Sequence, residues 1–126
     1  MSLHDRPALS ELLEAVRAYI SDEVATNAND RRARFRALIA ANVLQIALRE
    51  LTAGPADDAA EETRFEALGL REGTLDERRR ILACRIRAGD YDEGPARAAA
   101  LAYARESVAR KLAVANPRFI ARAEAK

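Results

Sequence analysis

Tryptophan is absent from this 126-residue chain, and cysteine, histidine and methionine each occur once. A lone Cys84 cannot close an internal disulfide, which excludes a small framework held by cross-links. His4 is far in sequence from Cys84, and neither HExxH nor paired cysteines occur, so no metal site is expected. GDYDEG gathers acidic residues without the loop length and spacing that calcium requires. GxxxxGK[ST] and the dinucleotide fingerprint are also missing, so neither a bound phosphate nor any other cofactor is expected. Aromatic residues make up only 5% of the chain. β-Branched residues never alternate for long, which argues against strands.

Apolar runs are short, none approaching the roughly 18 residues of a membrane span, so no membrane insertion is expected. The opening MSLHDRP has no hydrophobic segment of the kind that directs secretion, and the expected location is cytoplasmic. Net charge is also lacking: 21 basic and 20 acidic side chains leave +1. Such a chain has no global field to gather nucleic acid. DRRARFR and ERRRILACRIR are basic locally, but helical phase spreads their arginines to different sides, and no specific nucleic-acid partner is expected.

What remains is alanine, leucine, arginine and glutamate, residues that lose little freedom in a helix. The length suits one domain, 1–126. A first helix is predicted through PALSELLEAVRAYISDEVA, with Pro7 in its opening turn and Leu9, Leu12, Leu13, Val16, Ile20 and Val24 forming its apolar face. Asp30 should cap a second helix, Arg31 to Leu51, with Phe35, Leu38, Ile39, Val43, Ile46 and Ala47 inward. Gly54-Pro55 should end it and open a third helix through EETRFEALG, anchored by Phe65 and Leu68 and stopped by Gly69.

Thr74 and Glu77 have the spacing of a reciprocal capping box for a fourth helix, Leu75 to Ala88, on which Leu75, Leu82 and Ile86 lie together before Gly89. A last long helix should run from Ala96 to Ala115, with Leu101, Val108 and Leu112 on one face and the stop at Asn116, Pro117 and Arg118. Residues 118–126 read as a partly flexible tail in which Phe119 and Ile120 can dock. The fold class is therefore all-α, an irregular bundle of about five helices with short connections.

Few polar residues stand out. Asn42 shares the stripe of Phe35 and Ile46, and an amide buried there would need partners. Arg105 projects near Leu101 and Val108, where it could pair with a carboxylate such as Glu50. Asn42, Glu50 and Arg105 are thus candidates for one polar network, structural or ligand-binding. Glu11, Glu14, Glu50, Glu61 and Glu62 are read as solvated helix faces, because spacing alone supplies neither a perturbed pKa nor a pocket. Cys84 has no nearby base, Ser10 and Thr74 suit helix starts, and no catalytic residue is assigned.

HDRP with ELLEAVRAYI, ARFRALIAANVLQIALREL, GP, RIRAG and KLAVANPRF together resemble the bacterial domain-of-unknown-function family 6285. The resemblance implies a small helical protein without an established catalytic set, often encoded near phosphotransferase-like or acyl-CoA dehydrogenase-like proteins. It gives Asn42 and the Asn116-Pro117-Arg118 segment no catalytic role. The leading expectation is a noncatalytic accessory or protein-interaction domain. The alternatives are a small-ligand module and an enzyme of an unfamiliar helical class. Flat alanine-rich faces also suit a homodimer or another protein partner.

Overall fold

The computed structural model describes residues 6–126; His4 lies outside the described residues. Five α-helices and no strand occur among them: α1 (Leu9–Tyr19), α2 (Arg31–Ala67), α3 (Leu75–Arg87), α4 (Gly94–Ala115) and α5 (Pro117–Glu124). A π-helical segment, Ile20–Val24, continues α1. The chain divides into two compact units, Met1–Gly54 and Pro55–Lys126, where composition and length suggest a single domain of 1–126.

Local chemistry explains most helix ends. The Asp30 carboxylate accepts from the Ala33 N–H at 2.7 Å, which satisfies one of the free donors that open α2. At α3 the capping box closes both ways: the Glu77 N–H donates to Thr74 Oγ1 at 3.2 Å, and the Thr74 N–H donates to the Glu77 carboxylate at 2.8 Å. Gly69 follows α2 with φ +76°, a left-handed conformation that suits glycine. Asn116 ends α4 and also opens α5, its side chain accepting from the Phe119 N–H at 3.3 Å. The segment expected as a tail is therefore helical from Pro117 to Glu124.

Three local expectations need correction. Pro7 lies outside α1, which begins at Leu9 after the Ala8 N–H donates to Glu11 Oε2 at 2.7 Å. The first helix also changes pitch, the Ala25 N–H reaching Ile20 O at 2.9 Å, five residues back. The predicted second and third helices are one, with Pro55 inside it. An interior proline costs about 3 kcal/mol through its missing donor and its ring. That cost is local, whereas both arms of α2 are held by packing, Ala37 and Ala41 on one side of Pro55 and Phe65 on the other.

The second unit has a core made of large side chains. Phe65 is fully buried, Leu70 and Leu82 nearly so, and Leu68, Leu75, Tyr91 and Tyr103 pack against them. Phe65 and Tyr103 stack at a tilt, ring centroids 4.9 Å apart. Ile86, Leu101 and Val108, expected inside, are exposed. The half-buried arc of α4 instead includes Ala99, Tyr103, Glu106 and Arg110, residues four, three and four apart. Alanine at position 99 and long polar side chains at 106 and 110 let this arc approach α2 while its charges pair.

The first unit is built the other way round. Among its described residues the buried apolar ones are Ala25, Ala37 and Ala41. Phe35, Leu38, Ile39 and Val43, predicted to face inward on α2, are exposed, as are Leu9, Leu12, Val16 and Val24; Leu13, Ile20, Ile46 and Ala47 are half-buried. Ala37 and Ala41 lie on the opposite side of α2 from Phe35 and Ile39, so one apolar arc is used and the bulkier one is left over.

Candidate functional site

Polar side chains in the second unit converge at two places, both satisfied from within. At the first, Tyr103 OH donates to Glu61 Oε2 at 2.7 Å, and Arg79 Nε donates to the same carboxylate at 3.0 and 3.2 Å, with Nη2 of Arg79 also bound to it. Spacing suggests a solvated helix face at position 61, yet the Glu61 side chain is only 15% exposed. Burial pushes its carboxyl up, but the hydrogen bonds from Arg79 and Tyr103 outweigh that and hold it below the usual carboxylate range. Burial, then the bond to Glu61, pushes the Tyr103 hydroxyl up to about 12.

The chemistry of that arrangement is plain. Glu61 stays ionised and Tyr103 stays protonated at neutral pH, and each already holds its partner. Neither a general acid nor a general base is poised there. The second cluster links Arg64 to Glu106, Glu106 to Arg110 at 3.2 Å, and Arg110 to Asp57 at 2.6 Å. The hydrogen bond from Arg64 leads the effects that hold Glu106 below the usual carboxylate range. These pairs join α4 to the second half of α2 and carry no free reactive group.

Arg78 is buried in the same unit, donating through Nε to Gly73 O at 3.1 Å and through Nη2 to Arg71 O at 2.9 Å. It ties the 71–73 turn to α3, with Nη1 of Arg78 3.6 Å from Glu62. Much of the run ERRR is thereby taken up: Arg78, Arg79 and Arg80 meet Glu62, Glu61 and Asp76. Cys84 is exposed and free, and among the described residues no three His, Cys, Asp or Glu side chains are grouped to hold a metal ion.

Asn42, Glu50 and Arg105 are each exposed. Exposure removes the need for a buried partner that burial would impose. Asn42 and Glu50 are eight residues apart on α2, about 12 Å along the helix axis, too far to share one hydrogen bond. Both belong to the first unit, and Arg105 belongs to the second.

The first unit carries an open groove and two apolar stripes. A groove of about 590 Å³ between Glu11, Glu14, Ala15 and Ala18 of α1 and Gln45 and Leu48 of α2 opens broadly to solvent. Drug-sized ligands are held by enclosure on most sides, which this groove lacks. On α1, Leu9, Leu12, Val16 and Tyr19 follow one another at helical spacing, each 49 to 59% exposed. On α2, Phe35, Leu38, Ile39 and Val43 do the same at 45 to 63%. Asn42 sits in the middle of that second stripe.

A sequence pattern shared by a family described as Domain of unknown function (DUF6285) matches residues 26–119. The chain belongs to that family. The match takes in all of α2, α3 and α4 of this DUF6285 chain and ends within α5. No curated protein and no solved structure matches it. Among the described residues, no helix is long and apolar enough to cross a membrane.

Sequence reasoning passed over Tyr103. A useful signal was present: it is an aromatic residue in an alanine-rich helix, and such a side chain must find a place for a large ring and a hydroxyl together. Glu61 stands four residues before Phe65 on the same face of α2, so an inward phase for Phe65 brings Glu61 with it.

Proposed function

We propose that this protein is a noncatalytic accessory or protein-interaction module whose working surface is the pair of apolar stripes on the first unit. The observation that carries the reading is the exposure of Leu9, Leu12, Val16 and Tyr19 on α1 and of Phe35, Leu38, Ile39 and Val43 on α2. Half-exposed side chains of this size present roughly 100 Å² each, so each stripe of four offers about 400 Å², a size at which an apolar patch on a monomer is often functional, and the eight together about 800 Å². The polar clusters of the second unit support the same reading, because their groups are spent on one another.

The family resemblance suggests the setting, a cytoplasmic complex with a phosphotransferase-like or acyl-CoA dehydrogenase-like protein. A ligand module built on Asn42, Glu50 and Arg105 has no observation in its favour beyond their helical phases. The test is quantitative mass spectrometry of proteins that co-purify with the tagged full chain from its native cells, run beside a Val16→Glu, Ile39→Glu variant. Stoichiometric recovery of one protein by the native chain, lost with the variant, supports the module. Equal recovery by both removes the stripes from the function.

A further inference from the structure

We infer that the occupant of these stripes is a second copy of the same chain, with α1 of each copy laid on the first half of α2 of the other. The inference rests on the interaction reading above and names its partner. Three observations point the same way.

The first is area. About 800 Å² from each copy gives about 1,600 Å² for a pair, the size of a standard stable interface.

The second is charge. Residues 9–24 hold four carboxylates, Glu11, Glu14, Asp22 and Glu23, against one guanidinium, Arg17. Residues 31–36, the start of α2, hold four arginines and no acid. Arg31, Arg32, Arg34 and Arg36 are all exposed, and no ion pair involves them among the described residues. Arginines in the first turn also oppose the positive end of the helix dipole. An acidic, apolar helix and a basic, apolar helix on one chain are complementary to each other, and a two-fold axis matches both pairs at once.

The third is Asn42. It is exposed within the stripe of Phe35, Ile39 and Val43, and covering that stripe buries its amide. One polar residue in an otherwise apolar helix interface selects the register and the number of copies at some cost in affinity.

Sedimentation equilibrium of the full chain from 0.1 to 100 µM, roughly the span over which micromolar association appears, tests the inference. The native chain should dimerise. Val16→Glu and Ile39→Glu should each weaken the dimer about a hundredfold while circular dichroism keeps the native helicity. Asn42→Leu should tighten association and add larger species. Two charge variants make the geometry decisive: one with Arg31, Arg32 and Arg34 changed to Glu, the other with Asp22 and Glu23 changed to Lys. Each alone should be monomeric, because both junctions then carry like charges. Mixed, they should form a heterodimer, because each acidic helix again meets a basic one.

A native chain that stays monomeric throughout overturns the inference. So does a dimer whose two charge variants fail to pair on mixing. The interaction reading is judged separately by the co-purification test: a monomer that captures a different protein through Val16 and Ile39 keeps that reading and loses this one.

Discussion

The two units of this chain use the same residue types to opposite ends. In Pro55–Lys126, Phe65, Leu70 and Leu82 are buried, and the charged residues around them pair: Glu61 with Arg79 and Tyr103, Glu106 with Arg64 and Arg110. In the unit ending at Gly54, alanines are buried, and Phe35, Leu12 and Tyr19 face outward. The difference teaches where each unit finds its stabilisation. The second has a ring stack and an ion-pair lattice of its own. The first has thin alanine contacts and a large apolar area still in water, the area that the proposed interaction would cover.

Truncating one phenylalanine in each unit gives the sharpest test of that contrast. Phe65→Ala removes the only fully buried large side chain among the described residues and should destabilise by about 3–5 kcal/mol, read as a lowered denaturant midpoint. Phe35→Ala, at 63% exposure, should shift the midpoint of the monomeric chain by less than about 0.5 kcal/mol. Equal losses at the two positions would break the comparison.

Next in size is Tyr103→Phe, which keeps the ring against Phe65 and leaves Glu61 one donor short; about 1–2 kcal/mol should be lost in the same assay. Its pH dependence follows from the raised value. Because the hydroxyl sits above its ordinary 10 at about 12 when folded, the stability tied to its proton is whole below pH 10 and is lost as pH climbs through about 12. Absorbance of the phenolate during an alkaline titration checks it, and Tyr103→Phe should remove that component.

At the acid end the sign reverses. Glu61 is held below its ordinary 4.5, so its contribution is present above that pH and falls away as the carboxylate is protonated below it. Acid unfolding followed by circular dichroism should be flatter for Glu61→Gln than for the native chain. Thr74→Ala should have the smallest effect within the second unit, about 1 kcal/mol, because it removes one cap bond from an exposed helix start. A loss well beyond that would mean that α3 depends on its cap more than on Leu82.

Whether the units unfold together bears on the same comparison. The sequence suggested a single domain, 1–126, and one cooperative thermal transition seen by all probes would support that reading; two transitions would assign each unit its own stability.

Read by itself, the sequence determined what is local. Helix composition, the Asp30 cap, the Thr74 and Glu77 capping box, the turn at Gly69 and the stop at Asn116 each follow from a few neighbouring residues, and each is present in the structure. Tertiary structure alone decided which arc of each helix turns inward, whether α2 runs through Pro55, and that Glu61 meets Tyr103 across 42 residues. The physical reason is that α2 carries two apolar arcs, one of alanines and one of bulky side chains. Periodicity reports that an arc is apolar, while burial depends on what another helix, or another chain, brings against it.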